Sequence, residues 1–146
     1  MIKKLFPYIL IFTLMTCFSG CENGNKTISC FPSSSINVTV DLNLPQFQNL
    51  ASIGGWAYIG AGPLSGTRGL VIVRKNQNEF IVYDRNAPHI CPTNNSTLEV
   101  RSDIYLYCPE DGAKWLLSSG QPMEVSERPP KIYPSQFIGN VVYIAY

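Results

Sequence analysis

The sequence predicts an all-β domain, built as a small antiparallel barrel or sandwich. From Ile36 onward, short apolar segments are separated by clusters of Gly, Pro, Asn and Ser, which are residues that favour turns. No window of about eleven residues or more repeats its apolar positions with the 3.6-residue period of a helix. Apolar residues make up 45% of the 146 residues, which is enough to close one core. Barrels and sandwiches are the all-β architectures that bury such strands.

The strands are predicted from alternation and from the turns that bound them. Apolar side chains at Ile36, Val38, Val40 and Leu42 alternate with polar ones, which is the pattern of a strand with one buried face, and Pro45 ends it. Further strands are expected at 56–59, 70–74, 80–84, 97–100, 104–108, 114–117, 132–137 and 141–146. Together they predict one domain over residues 36–146.

Residues 1–20 are typical of a secretory signal and are excluded from the domain. Lys3 and Lys4 precede an apolar run at 5–18, which is too short to span a membrane as a helix of about 20 residues. Two small residues stand directly before Cys21, a pattern that resembles the bacterial lipobox, whose cysteine is acylated and begins the mature chain. An ordinary cleaved signal with Cys21 merely nearby is the alternative.

A lipid on Cys21 predicts a protein of the bacterial cell envelope, anchored to the membrane and facing the periplasm or the cell surface. Cys17 is a weaker alternative acceptor. The polar residues 21–35 predict a tether that holds the domain off the lipid. The net charge is +1 and no basic block occurs, so nucleic acid is not an expected partner.

Two loops that contain proline carry the candidate ligand residues. The first contains Ala87-Pro88-His89 and the second contains C-P-E-D-G at 108–112, with two predicted strands between them. This layout resembles the cluster-binding region of Rieske-type iron–sulfur domains, in which C-x-H and C-x-x-H loops supply two Cys to one iron and two His to the other. His89 and Cys108 match two of the four ligand positions, whereas Ala87 and Asp111 stand at the other two.

The resemblance extends over most of residues 36–146 and implies a Rieske-like fold with two loop tips that form the former cluster site. It also implies an ancestral role in electron transfer through a [2Fe-2S] cluster, as in small ferredoxin-type subunits of oxygenases and nitrite reductases. The methyl group of Ala87 cannot replace a thiolate, and a carboxylate at Asp111 is a harder ligand that weakens the site. We therefore expect no cofactor; the alternative is a Rieske-type electron-transfer protein with atypical ligands.

The same resemblance places the two loop tips face to face, which brings Cys91 near Cys108. Exported thiols meet an oxidising compartment, so a Cys91–Cys108 disulfide is expected to replace the cluster as the link between the loops. It would contribute about 3 kcal/mol in the loop-entropy model. Cys30 would then remain in the tether, either free or paired with another chain. Alternatively, His89, Cys91, Cys108 and Asp111 would hold a single zinc, although Asp is an uncommon structural zinc ligand.

The function predicted from these observations is that of a binding or structural module at the membrane surface, with an unidentified protein partner. No catalytic residue is predicted. His89 is the only histidine of the chain, and no motif accompanies an activated thiol beside it. As part of an enzyme system, the chain would at most be an electron-transfer component of an oxidoreductase.

Overall fold

The computed structural model describes residues 27–146, which form three antiparallel sheets. The predicted all-β class and the antiparallel pairing are confirmed, but the sheets of this region remain open and do not close into a barrel. The predictions for residues 1–20, Cys17 and Cys21 lie outside the described residues. Within residues 27–146, no helix is long and apolar enough to cross a membrane.

The strands are distributed among three sheets. In chain order the strands are β1 (Asn37–Asp41), β2 (Trp56–Ile59), β3 (Leu70–Arg74), β4 (Phe80–Asp84), β5 (Glu99–Arg101), β6 (Tyr105–Tyr107), β7 (Lys114–Leu116), β8 (Pro122–Glu124), β9 (Ile132–Tyr133), β10 (Ser135–Ile138) and β11 (Val141–Ala145), with a 3₁₀ helix at Pro45–Ala51. The first sheet has the order β1-β11-β10, the second β2-β3-β4-β9 and the third β5-β6-β7-β8.

Strand β1 has the alternation expected from its sequence. Val40 is fully buried, whereas Asn37 and Thr39 are exposed on the opposite face. The strand pairs with β11, and the two ends of the domain are joined by reciprocal hydrogen bonds of 2.9 Å between the main chains of Ile36 and Tyr146. The first sheet therefore joins the two ends of the domain.

Two of the differences between the predicted and observed strands involve proline residues. The segment predicted at 132–137 is divided at Pro134, because proline has no N–H to donate and fixes its own φ angle. As a result β9 pairs with β4 in the second sheet, while β10 pairs with β11 in the first. Strand β8 is not predicted, because it is only three residues long and begins with Pro122; proline is tolerated as the first residue of a strand.

The second sheet lies between two apolar clusters. Leu70 and Ile72 of β3 belong to the cluster shared with the first sheet, and Val71 and Val73 belong to the cluster shared with the third. All four side chains are buried. This is why β3 reads as a continuous apolar run rather than as an alternation.

A buried carboxylate fixes the point at which the chain leaves β4. Asp84 is buried, and its Oδ1 accepts hydrogen bonds from the N–H and the side-chain amide of Asn86 at 2.7 and 2.8 Å. Its Oδ2 accepts the hydroxyl proton of Tyr133 at 2.7 Å, which links β4 to β9. A carboxylate out of contact with water needs such donors, so the network holds the base of the following loop in one position.

Replacing Tyr133 by Phe tests this network. Tyr133→Phe leaves Asp84 Oδ2 without its donor in a buried site, so we expect the free energy of unfolding to fall by about 1–3 kcal/mol. The measurement is a urea unfolding curve. The matched control is Tyr143→Phe. Because Tyr143 is 45% exposed, this substitution should change the free energy of unfolding by less than about 0.5 kcal/mol. Equal effects of the two variants would contradict the role assigned to Asp84.

Candidate functional site

The two loops singled out in the sequence leave the same end of the domain. The first loop (85–98) connects β4 to β5, and the second loop (108–113) connects β6 to β7. The first is closed at its base by a 2.7 Å hydrogen bond from the N–H of Leu98 to the carbonyl of Arg85. The second closes through 2.9 Å bonds from Cys108 N–H to Ala113 O and from Gly112 N–H to Cys108 O. Both loops are therefore closed at their base by main-chain hydrogen bonds.

A direct contact between His89 and Asp111 joins the two loops. The distance from His89 Nε2 to Asp111 Oδ2 is 2.5 Å, and the two side chains are 12% and 27% exposed. The imidazole meets the ring of Trp115 edge-on at 5.4 Å between centroids. The indole N–H of Trp115 in turn donates to the carbonyl of Arg128 at 2.7 Å. His89 is thus positioned by an aromatic ring on one side and a carboxylate on the other.

Cys108 is a free thiol, fully buried beneath this contact. Burial raises the pKa of Cys108 to about 11, against the opposing effect of main-chain hydrogen bonds from Glu110 and Asp111. The thiol also shares a hydrogen bond with the carboxyl group of Asp111. At neutral pH it is therefore the protonated donor in this pair and a poor nucleophile.

Asp111 is the acceptor that these groups share. Partial burial acts to raise the pKa of its carboxyl group, but hydrogen bonds from His89, from the N–H of Ala113 and from Cys108 outweigh burial, so the pKa lies below its usual value of 3.8. The ionised carboxylate has no proton to donate, so His89 Nε2 is the donor in their contact. In the neutral imidazole, Nδ1 then carries the lone pair. Nδ1 is buried and has no hydrogen-bond partner among the described residues.

The predicted Cys91–Cys108 disulfide is wrong. Cys91 is bonded to Cys30, with 5.5 Å between their Cα atoms. The reason is the direction of the two side chains, because Cys108 lies inside the apolar cluster with Trp115 and Leu106, whereas Cys91 is on the exposed rim of the first loop. Cys30 is therefore not left over. No local pattern indicates this pairing, since the two cysteines are 61 residues apart.

The second half of the predicted tether lies along the first loop. Besides the disulfide, the N–H of Ile28 donates to the carbonyl of Pro88 at 3.3 Å. The N–H of Phe31 donates back to Ile28 O at 3.0 Å, which forms a turn around Cys30. From residue 27 onward, the predicted tether is thus fastened to the domain and does not run free up to Ile36.

The residues present do not fit a Rieske-type cluster. Ala87 is 3% exposed within the apolar cluster and supplies no ligand atom. Cys91 is in the disulfide, and the carboxylate of Asp111 is already bonded to His89. Only His89 and Cys108 remain from the four positions that such a cluster needs. Within residues 27–146, no group of three or more His, Cys, Asp or Glu side chains is arranged to hold a metal ion.

A cleft of about 310 Å³ lies at the opposite end of the domain, between the second and third sheets. Its apolar walls include Val73 and Leu116, and the exposed side chains of Ile53 and Ile104 stand beside them. No sequence pattern predicts this cleft, because Ile53 and Ile104 both lie in turns, although Ile104 was expected to begin the strand at 104–108.

No family model, characterised protein or solved structure matches this chain. The Rieske resemblance therefore stays a prediction that depends on the residues of the two loops and on their order along the chain.

The state of the thiols gives a direct test of the site. In a protein of residues 22–146, we expect no rapid alkylation in the native state at pH 8, because Cys108 is buried and only about a thousandth of it is thiolate. Denaturation without reductant should expose one thiol, and reduction should expose all three. Mass spectrometry of the labelled peptides identifies them. Rapid native labelling of Cys108, or a peptide that joins it to Cys91, would contradict this arrangement.

Acid stability tests the contact between Asp111 and His89. A carboxyl group whose folded pKa is depressed stabilises the protein above its unfolded pKa, and this contribution is lost as the pH falls through the folded pKa. We therefore expect the free energy of unfolding to drop below about pH 4, and the drop should be smaller in Asp111→Asn. At pH 7 the variant should be less stable by about 1–3 kcal/mol. Identical pH profiles for the two proteins would disprove the role of this carboxylate.

Proposed function

We propose that this chain is an exported, lipid-anchored protein of the bacterial envelope whose Rieske-like domain has lost its iron–sulfur cluster. In this proposal the domain serves as a binding or structural module at the membrane surface. The observation that carries it is the 2.5 Å contact between His89 Nε2 and Asp111 Oδ2, made between two positions at which the resemblance expects cluster ligands.

The side chains at the four ligand positions contact other protein groups instead of a metal. Asp111 accepts a hydrogen bond from His89 and shares another with Cys108, so three of the four positions are linked to one another. The fourth, Ala87, packs into the core. A cluster would normally connect the two loops, and here the hydrogen bond between His89 and Asp111 takes over that connection. The disulfide to Cys30 holds the first loop from its outer side.

The binding role is supported by the cleft at the far end of the domain. Ile53 and Ile104 are both exposed and line the same cleft, and an apolar patch of this kind is typical of a site for a protein partner. The cleft volume of about 310 Å³ is at the lower end of the range for binding pockets, and large enough to accept an apolar side chain of a protein partner.

One observation favours the second candidate, a [2Fe-2S] electron-transfer protein with atypical ligands. His89 Nδ1 is a buried nitrogen without a partner among residues 27–146, and Cys108 is a buried free thiol. These are the two residues that match the family pattern. Nδ1 of His89 and Sγ of Cys108 are both atoms that bind metals in such proteins. Asp111 would have to exchange its contact with His89 for a metal, and a fourth ligand would still be needed at the position of Ala87.

Metal analysis of residues 22–146, purified without oxygen, distinguishes these functions. We expect no iron, no acid-labile sulfide, no zinc and no visible absorption band. Two irons and two sulfides per chain would overturn the proposal and establish the second candidate. One zinc per chain would instead support a mononuclear site that uses His89 and Cys108.

The matched control restores the family ligands with Ala87→Cys and Asp111→His in one double variant. This variant has the complete C-x-H and C-x-x-H pattern, so we expect it to acquire a cluster under conditions in which the parent chain remains colourless. A double variant that folds but takes up no iron would refute the Rieske-like part of the proposal, even if the parent chain also binds none.

A further inference from the structure

The disulfide moves the point at which the N-terminal chain joins the domain. Nine residue steps lead from Cys21 to Cys30, whereas fifteen lead from Cys21 to Ile36, where the first sheet begins. A fully extended chain covers at most about 3.6 Å per residue, so the disulfide lowers the greatest reach of the tether from about 54 Å to about 32 Å. The fastening point becomes Cys91, on the rim of the first loop.

The topology gives the domain two distinct ends. Strand β4 runs from the turn at 75–79 to the first loop, and β6 runs from the turn at 102–104 to the second loop. Both loops are therefore at one end and both turns at the other. The five residues of β4 alone separate the two ends by about 16 Å.

We infer that the loop end of the domain faces the lipid headgroups and that the Cys30–Cys91 disulfide holds it in this orientation. The inference rests on the proposed lipid anchor at Cys21. It extends that proposal, because it assigns which surface meets the membrane and which surface, with the cleft beside Ile53 and Ile104, is presented to partners in the envelope.

The tether produces this orientation, and the chemistry of the loop surface does not. The exposed tip residues Thr93, Asn94 and Glu110 carry no positive charge that would attract anionic lipids, and the half-buried guanidinium of Arg68 is bonded to the loop itself. Two further contacts support the fastening, namely the hydrogen bond from Ile28 to Pro88 and the turn between Ile28 and Phe31. A domain without the acyl group should therefore not associate with phosphatidylcholine or phosphatidylglycerol vesicles.

The test uses the full acylated protein in phosphatidylcholine vesicles that contain a headgroup-linked energy acceptor. A bio-orthogonal donor fluorophore is placed at Asn94, in the first loop, or at Asn78, in the opposite turn; both residues are exposed. We expect a higher transfer efficiency from Asn94 than from Asn78. Equal efficiencies, or a higher value at Asn78, would overturn the assigned orientation.

The matched control is Cys30→Ser combined with Cys91→Ser, which removes the fastening without leaving an unpaired thiol. Its longer tether should reduce the difference in transfer between Asn94 and Asn78. An unchanged difference in a folded double variant would show that the disulfide does not set the orientation. The mass of the N-terminal peptide distinguishes a missing lipid anchor from a wrong orientation of the domain. An unmodified Cys21 removes the anchor itself, whereas an acylated Cys21 with equal transfer efficiencies rejects only the orientation.

Discussion

Strand β3 buries both of its faces, and both apolar clusters depend on that burial. Leu70 and Ile72 face the first sheet, whereas Val71 and Val73 face the third. A shift of one residue in its pairing would exchange these two sets and disturb both clusters at once, so the register of the second sheet is strongly specified. That register also places β4, its direct neighbour, and the end of β4 determines where the first loop begins. The position of the candidate site is therefore a consequence of the central sheet.

At the loop end, one carboxylate organises the polar side chains. Asp111 accepts hydrogen bonds from His89 and the main chain of Ala113, and shares another with Cys108. Its ionised form satisfies donors that would otherwise be unpaired in a partly buried place, which is the condition under which such a network stabilises a fold. The arrangement favours a rigid connection between the loops over reactivity, because the same burial that positions Cys108 also keeps its thiol protonated.

Local features of the fold were predictable from the sequence, and distant contacts were not. The bounds of β2, β3 and β4 agree with the predicted ranges, because runs of β-branched and aromatic residues end at clear turn residues. Strand β8 begins with a proline and has no such pattern. The proximity of the two loops was expected only through the family resemblance. The pairing of Cys30 depends on where the N-terminal segment crosses the first loop. The residues near Cys30 in the sequence do not indicate this crossing.

The position of the disulfide also bears on whether the domain needs a metal. In the loop-entropy model, the bond across 61 residues constrains the unfolded chain by about 4 kcal/mol, compared with about 3 kcal/mol for the Cys91–Cys108 bond expected from the sequence. The closed loop contains all of β1 to β4, so the bond supports the first and second sheets as well as the site loop. Stability that is supplied in this way does not depend on what occupies the region between His89 and Cys108. A chain with this link could lose two cluster ligands and still retain its fold, which is the history that the proposed function requires.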